Sequence, residues 1–176
     1  MTNELIFAGF GGQGLLFAGR LLSYAAMLRG YEVSWLPSYG PEMRGGTANC
    51  HVIISDEPVS SPMVTSPTVL ACMNRPSYEK FAQAVRVGGL LVNDSTLFEA
   101  QEAPGVRCVN IPASKIAIDN NLQKLANMII LGKIIKETDV IDMESVMEAL
   151  VKTVPSGKNE LIELNKKMIM TGYDYK

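Results

Sequence analysis

The chain is poor in the residues that hold metals and run redox chemistry. Its 176 residues include one histidine, His51, and three cysteines, Cys50, Cys72 and Cys108. No two cysteines form a CxxC pair, which excludes a sequence-local zinc or iron–sulfur site. Odd, scattered thiols also point to a reducing, cytoplasmic compartment. A surplus of one charge is missing as well. With 16 basic and 18 acidic residues, net −2, bulk charge argues against a polyanion-binding surface and leaves only a local patch open. Long apolar runs are absent too. The longest uncharged stretch, Pro58 to Asn74, holds three prolines and three serines, so it cannot span a membrane. Glu4 and Gly9 interrupt the N-terminus and no basic segment precedes an apolar one, so no signal peptide is expected.

What is present is globular. Hydrophobic residues make up 47% and charged residues 19%, which argues against disorder, and the length suits a single domain, 1–176. The pattern alternates strand and helix. Glu4–Ala8 is a short apolar run that breaks at Gly9. From Gly14 to Arg29, Leu15, Ala18, Leu22 and Ala25 recur at helical spacing, and Gly30 stands where a glycine ends a helix. Val33–Leu36 reads as a second strand stopped by Pro37, giving a parallel strand–helix–strand unit with an expected right-handed crossover. Thr47–Ile54 alternates, with Ala48, Cys50, Val52 and Ile54 on one side and Asn49 and His51 on the other. That suits a half-buried, antiparallel strand. Thr68–Met73, Gly89–Asn93 and Val106–Ile111 are further strands, with a short helix at Pro76–Val85. Beyond Pro112 the periodicity is helical: one long helix from Ser114 to about Lys136, one capped by Asp142 to about Lys152, and a last near Asn159–Met168.

Two segments carry chemistry. Gly9-Phe10-Gly11-Gly12-Gln13-Gly14 fits G-x-G-x-x-G between a strand and a helix, where first-turn N–H groups and the helix dipole favour an anion. Glycines also make tight turns in domains that bind nothing, so both readings stand. A nicotinamide dinucleotide would want an acid at the end of the second strand, and that strand ends Trp35-Leu36-Pro37-Ser38. No Gly-Lys-Ser/Thr follows the glycines, so a Walker A loop is absent. The second segment, Pro37 to Thr47, leaves the carboxyl end of the second strand, the edge where open α/β sheets bind ligands. There Ser38, Tyr39, Glu42 and Arg44 offer polar side chains, and an arginine beside glycines can grip a phosphate or carboxylate. The bland alternative is an Arg44–Glu42 surface pair of little worth.

Together, GFGGQG and PSYGPEMRGGTANC resemble the gamma subunit of 2-oxoacid:ferredoxin (or flavodoxin) oxidoreductases, the pyruvate, 2-oxoglutarate, 2-oxoisovalerate and indolepyruvate enzymes. Gly88–Asn93 and Ala126-Asn127-Met128 extend the resemblance over nearly the whole chain. It implies an α/β fold, a three-layer Rossmann-like domain with a mostly parallel sheet and a helical C-terminal flank. It also implies a subunit, inactive alone, of a complex that converts a 2-oxoacid, coenzyme A and an oxidised carrier into acyl-CoA, carbon dioxide and reduced carrier. Thiamine diphosphate with magnesium would sit between alpha and beta subunits, and iron–sulfur clusters on the beta and ferredoxin-like delta chains, none on this one. Ferredoxin or flavodoxin would accept the electrons. Of the substrates, the resemblance points first to 2-oxoglutarate, then to branched-chain 2-oxoacids and pyruvate. Gly11, Gly12, Gln13 and Gly14 would present backbone donors and one amide to an anionic ligand or partner loop. Ser38, Tyr39, Glu42 and Arg44 would face the active-site interface or the coenzyme A phosphates. The competing readings are a free-standing NAD(P)-binding oxidoreductase and a non-catalytic scaffold subunit.

Other tempting residues read as structural. His51 lacks a ligand partner in sequence, and Ser77-Tyr78-Glu79-Lys80 matches S-x-x-K without the SDN or KTG that a serine nucleophile would accompany. The three cysteines sit among apolar neighbours, where a thiol behaves as a small hydrophobe.

Overall fold

The computed structural model describes residues 1–39, 47–155 and 157–176, Tyr39 by its backbone alone. Six strands, β1 (Thr2–Phe10), β2 (Glu32–Tyr39), β3 (Thr47–Ser55), β4 (Val69–Cys72), β5 (Leu90–Asp94) and β6 (Arg107–Ile111), form one sheet in the order β2-β3-β1-β4-β5-β6. The pairs β1·β4, β4·β5 and β5·β6 are parallel. Only β3 runs against its neighbours, pairing antiparallel with both β1 and β2. The sheet is therefore mostly parallel, and the antiparallel character expected of Thr47–Ile54 is observed.

Period-two alternation divides the sheet into two buried faces. Leu5 and Phe7 of β1 with Cys50, Val52 and Ile54 of β3 pack into one core. It is covered by α1 (Leu15–Leu28), α3 (Ala113–Asp119), α4 (Ala126–Thr138), α5 (Met143–Thr153) and α6 (Asn159–Asp174). Ile6, Ala8, Ile53, Leu70 and Leu91 face the other way, onto α2 (Arg75–Phe81) and the 56–67 connection. Each fully buried Leu, Ile or Phe contributes about 1.5–3 kcal/mol of transfer free energy. These faces and their helices make three layers, with α3–α6 as the helical flank.

Several local expectations change. The second strand does not stop at Pro37. β2 continues to Tyr39, because it is an edge strand and a proline there removes no interior ladder bond. Nor does β2 lie beside β1, since β3 is inserted between them. β3 is buried on both faces rather than half-buried, and Asn49 and His51 are inside. The expected long helix is two. α3 ends at Asp119, Asn121 adopts a left-handed conformation with φ 58°, and α4 restarts at Ala126 after a short 3-10 turn. A nearly all-round apolar stripe conceals such a break, because no face stops at it. The other helix signals hold. Gly30, at φ 83°, ends α1 with Gly30 N–H donating to Met27 C=O and Tyr31 N–H to Ala26 C=O, a Schellman closure. Asp142 caps α5, its Oδ1 accepting from Ser145 N–H at 2.8 Å.

α4 and α6 cross at glycines. A Cβ at Gly132 would strike the Ile169 carbonyl, and one at Gly172 the Ile129 carbonyl, so two missing side chains set the helix separation. Among the described residues no helix is long and apolar enough to cross a membrane.

Candidate functional site

β1 ends at Phe10, and Gly11 to Gly14 lead directly into α1. Gly12 (φ 93°) and Gly14 (φ 73°) occupy the positive-φ region that disfavours side chains. For Gly12 the backbone angle alone demands glycine, since a Cβ there would meet open space. Gly14 is constrained twice, because its Cβ would lie 2.6 Å from the Asn127 Nδ2. Gly14 is also the N-cap of α1, with no side-chain cap and no acidic residue in the first turn. The Gly14 carbonyl accepts from the N–H groups of Phe17 and Ala18, and the earlier N–H groups of the helix point toward the loop. This is an electropositive helix end left open to an anion.

The second segment has its roots at the same rim. In the strand register Phe10 pairs with Thr47, and Tyr39 pairs with Ala48, so both ends of the 40–46 connection flank the end of β1. Ser38 is exposed near the end of β2, opposite Asn49. Glu42 and Arg44 lie outside the described residues, as does the Tyr39 side chain.

A cleft of about 410 Å³ lies between the glycine loop and β2–β3, lined by Gly11, Gly12, Gly14, Phe17, Arg20 and Trp35 among others. Arg20 stands over the Phe17 ring, 5.9 Å from its centroid, and makes no ion pair among the described residues. Sequence reading did not single it out. The signal was its helical spacing, three residues after Phe17 and four after Leu16, which turns it toward the glycine loop.

The Gln13 side chain is hydrogen-bonded within the fold. Its Oε1 accepts from Phe10 N–H at 2.6 Å and its Nε2 donates to the Met73 carbonyl at 3.3 Å. The amide thus staples the loop to the end of β4. Asn127 braces the same loop from α4, its Nδ2 donating to the Gly14 carbonyl at 2.8 Å.

On the far side of the loop a second cleft, about 440 Å³, opens among the carboxyl ends of β1, β4 and β5. Helix α1 follows β1 on one face of the sheet and α2 follows β4 on the other, so the cleft sits where winding reverses, the usual ligand position in open α/β sheets. Gln13, Asn74, Arg75 and Phe98 line it, with Arg75 stacked 5.6 Å from the Phe98 centroid. Leu97 at its lip is 94% exposed. Asp94, also on the wall, is saturated internally. It accepts from Thr96 Oγ1 at 2.6 Å and Ser114 Oγ at 2.5 Å, tying β5 to α3.

The remaining polar residues are structural. His51 Nδ1 accepts from Val64 N–H at 2.9 Å, pinning the 56–67 connection, and burial, with a smaller push from Lys80, holds its pKa below the ordinary histidine value. Burial pushes the Cys50 thiol up to about 12, against a smaller opposing effect of Trp35. Cys72 is raised the same way, chiefly by burial, and Cys108 is only partly covered. Ser77 N–H donates to the Asn74 Oδ1 cap of α2 and has no base beside it in the hydrogen-bond network.

The nicotinamide reading meets a structural obstacle. Its fingerprint places the ribose-binding acid on the strand beside β1, but here that neighbour is β3, and β2 ends in Pro37-Ser38-Tyr39.

Comparison with known proteins agrees with this geometry. A family model described as pyruvate ferredoxin/flavodoxin oxidoreductase matches residues 4–175. The ketoisovalerate oxidoreductase subunit VorA of Methanothermobacter marburgensis is 40% identical over 169 residues, covering 96% of this chain and 35% of VorA. This chain therefore spans about a third of that relative's length. The 2-oxoglutarate synthase subunit KorC of Methanocaldococcus jannaschii is 36% identical over 164 residues, covering 91% of this chain and 88% of KorC. Among solved structures, the gamma subunit of a keto/oxoacid ferredoxin oxidoreductase from Geobacter sulfurreducens superposes with a TM-score of 0.83 at 29% identity, covering 98% of this chain and 96% of that one. A 2-oxoglutarate:ferredoxin oxidoreductase chain from Magnetococcus marinus, solved with 2-oxoglutarate, coenzyme A and succinyl-CoA bound, superposes with a TM-score of 0.87 at 26% identity. It covers 97% of this chain and 30% of that one. On its fold, its paired loops and a match over nearly its full length, this chain belongs to the pyruvate ferredoxin/flavodoxin oxidoreductase family.

Proposed function

We propose that residues 1–176 act as one domain, the gamma-type subunit of a 2-oxoacid:ferredoxin oxidoreductase, and supply part of the coenzyme A side of its active site. The complex takes a 2-oxoacid, coenzyme A and oxidised ferredoxin or flavodoxin to acyl-CoA, carbon dioxide and reduced carrier. One observation carries the site: the uncapped glycine loop and both roots of the 40–46 connection share one rim, around a cleft bearing Arg20. Coenzyme A is a polyanion with three phosphate groups. The backbone N–H groups of Gly11, Gly12 and Gly14, the dipole of α1 and the Arg20 guanidinium make this rim attractive to such a ligand. We assign Ser38, Tyr39, Glu42 and Arg44 of the second segment to the same ligand or to the interface beside it.

Thiamine diphosphate, with magnesium, would activate the 2-oxoacid when bound, and we assign it and the iron–sulfur clusters to alpha, beta and delta partners. The donors on this chain do not suit a cluster. Its cysteines stand on three different strands, and burial disfavours the thiolate at Cys50 and Cys72. The role of this chain is to bind, orient and exclude water, and it turns over nothing alone.

We assign 2-oxoglutarate as the substrate, supported by the KorC likeness over most of both chains. The higher identity to VorA favours a branched-chain 2-oxoacid as the competing assignment. Co-purification from the native cell, with partners identified by mass and the complex assayed on several 2-oxoacids with coenzyme A, tests both. Coenzyme A-dependent carrier reduction with 2-oxoglutarate supports the assignment. Turnover of NAD by the isolated chain would overturn it.

A further inference from the structure

We propose that Asn127 is a positioning residue, which fixes the glycine loop from the opposite flank of the fold. The inference rests on the reading of that loop as part of the coenzyme A side.

Asn127 lies in the first turn of α4, 113 residues from Gly14, and is 3% exposed. Its neighbours Met128, Ile129, Ile130 and Leu131 are all apolar and buried. An amide in such a helix is costly, and here half of it is unused. Its Oδ1 is buried with no partner among the described residues, whereas an apolar residue of similar shape would carry no such penalty. Among the described residues, the one hydrogen bond of the side chain is that from Nδ2 to the Gly14 carbonyl, at 2.8 Å.

That carbonyl does not need the bond. It already accepts from Phe17 and Ala18 N–H, each at 3.1 Å, as the first carbonyl of α1. The third donor satisfies nothing and instead fixes a position. Gly14 stands at φ 73°, and the Asn127 amide occupies the space where a side chain at Gly14 would be. Backbone conformation and amide therefore fit each other. Gln13 ties the other end of the turn to Met73, so the donors of Gly11 and Gly12 are held between two amide braces. A loop that must meet an anion with preset N–H groups gains from bracing of this kind, because freezing it on binding would cost affinity.

The test uses the assembled complex carrying Asn127→Ala or Asn127→Asp. The ionised aspartate keeps the shape but cannot donate to the Gly14 carbonyl, and the alanine removes the donor whatever the protonation state. Hydrogen exchange of the peptide covering Phe10–Phe17 is compared with that of β4, β5 and the body of α4, alongside KM and kcat for each substrate. Both variants are expected to speed exchange of the loop peptide at least tenfold, leaving the other peptides protected. KM for coenzyme A should rise at least fivefold, with kcat and KM for the 2-oxoacid within twofold of wild type. Unchanged loop exchange in both variants, or equal loss of protection throughout α4, would overturn the positioning role. Faster loop exchange with a wild-type KM for coenzyme A would uphold the positioning role and sink the coenzyme A assignment of the loop.

Discussion

At the scale of single residues, the glycines and the lone histidine make the sharpest distinctions. Gly12→Ala meets only an unfavourable backbone angle, whereas Gly14→Ala also drives a methyl into the Asn127 amide. Gly14→Ala should therefore cost stability by about 1–3 kcal/mol in urea unfolding, and Gly12→Ala clearly less. Arg44→Ala should weaken coenzyme A use by about 1.5–3 kcal/mol, the range for a charged hydrogen bond, read as a rise of roughly tenfold or more in KM for coenzyme A. His51 supplies a pH dependence. Its pKa is below the ordinary value of 6.5 in the fold, so the unfolded chain takes up the proton first. The stability it contributes is complete above 6.5 and is lost as pH falls from there through the folded pKa. Between about pH 7 and pH 5 the urea midpoint of the wild type should drop more than that of His51→Gln. The residue types at the site were legible in the sequence, but their partners were not. The pattern showed that Gln13 follows two glycines, yet only the fold reveals that Met73 receives its amide.

At the scale of elements, signals written in local chemistry survived, and signals that depend on neighbours did not. Gly30 and Asp142 end or begin helices by hydrogen bonds within a few residues, so sequence alone located them. Asp142→Ala should cost about 1 kcal/mol in thermal or urea unfolding, the usual worth of a cap. The Ser145 hydroxyl and N–H hold the Asp142 carboxyl below its ordinary 3.8, so this contribution is present above 3.8 and fades as pH falls through the lower folded value. By contrast, Pro37 reads as a stop until β2 is known to be an edge. Likewise Asn49 and His51 read as the open face of a half-buried strand until both are found buried, His51 beneath the 56–67 connection. The α4–α6 crossing was equally hidden, because no pattern announces that Gly132 and Gly172 face each other's backbone. Gly172→Ala should force these helices apart and cost at least about 1–3 kcal/mol, measured by urea unfolding.

At the scale of the whole molecule, topology explains why two segments far apart in sequence make one rim. β1 and β2 both run antiparallel to β3, so their carboxyl ends coincide, and Tyr39 and Thr47, which bound residues 40–46, lie at the rim that holds the glycine loop. Inserting β3 removes β2 from the position a dinucleotide ribose would use, and it opens the cleft that Trp35 and Arg20 line. The same rim carries exposed Leu97 and half-covered Ile118 and Phe10, a surface suited to burial against a larger neighbour. We propose that this rim serves coenzyme A only within a complex. The most direct test is carrier reduction driven by a 2-oxoacid, measured with the isolated chain and with the complex co-purified through it, with and without coenzyme A. No turnover is expected from the chain alone, and turnover by the complex should stop when coenzyme A is withheld. Full activity of the isolated chain, or a complex indifferent to coenzyme A, would contradict it.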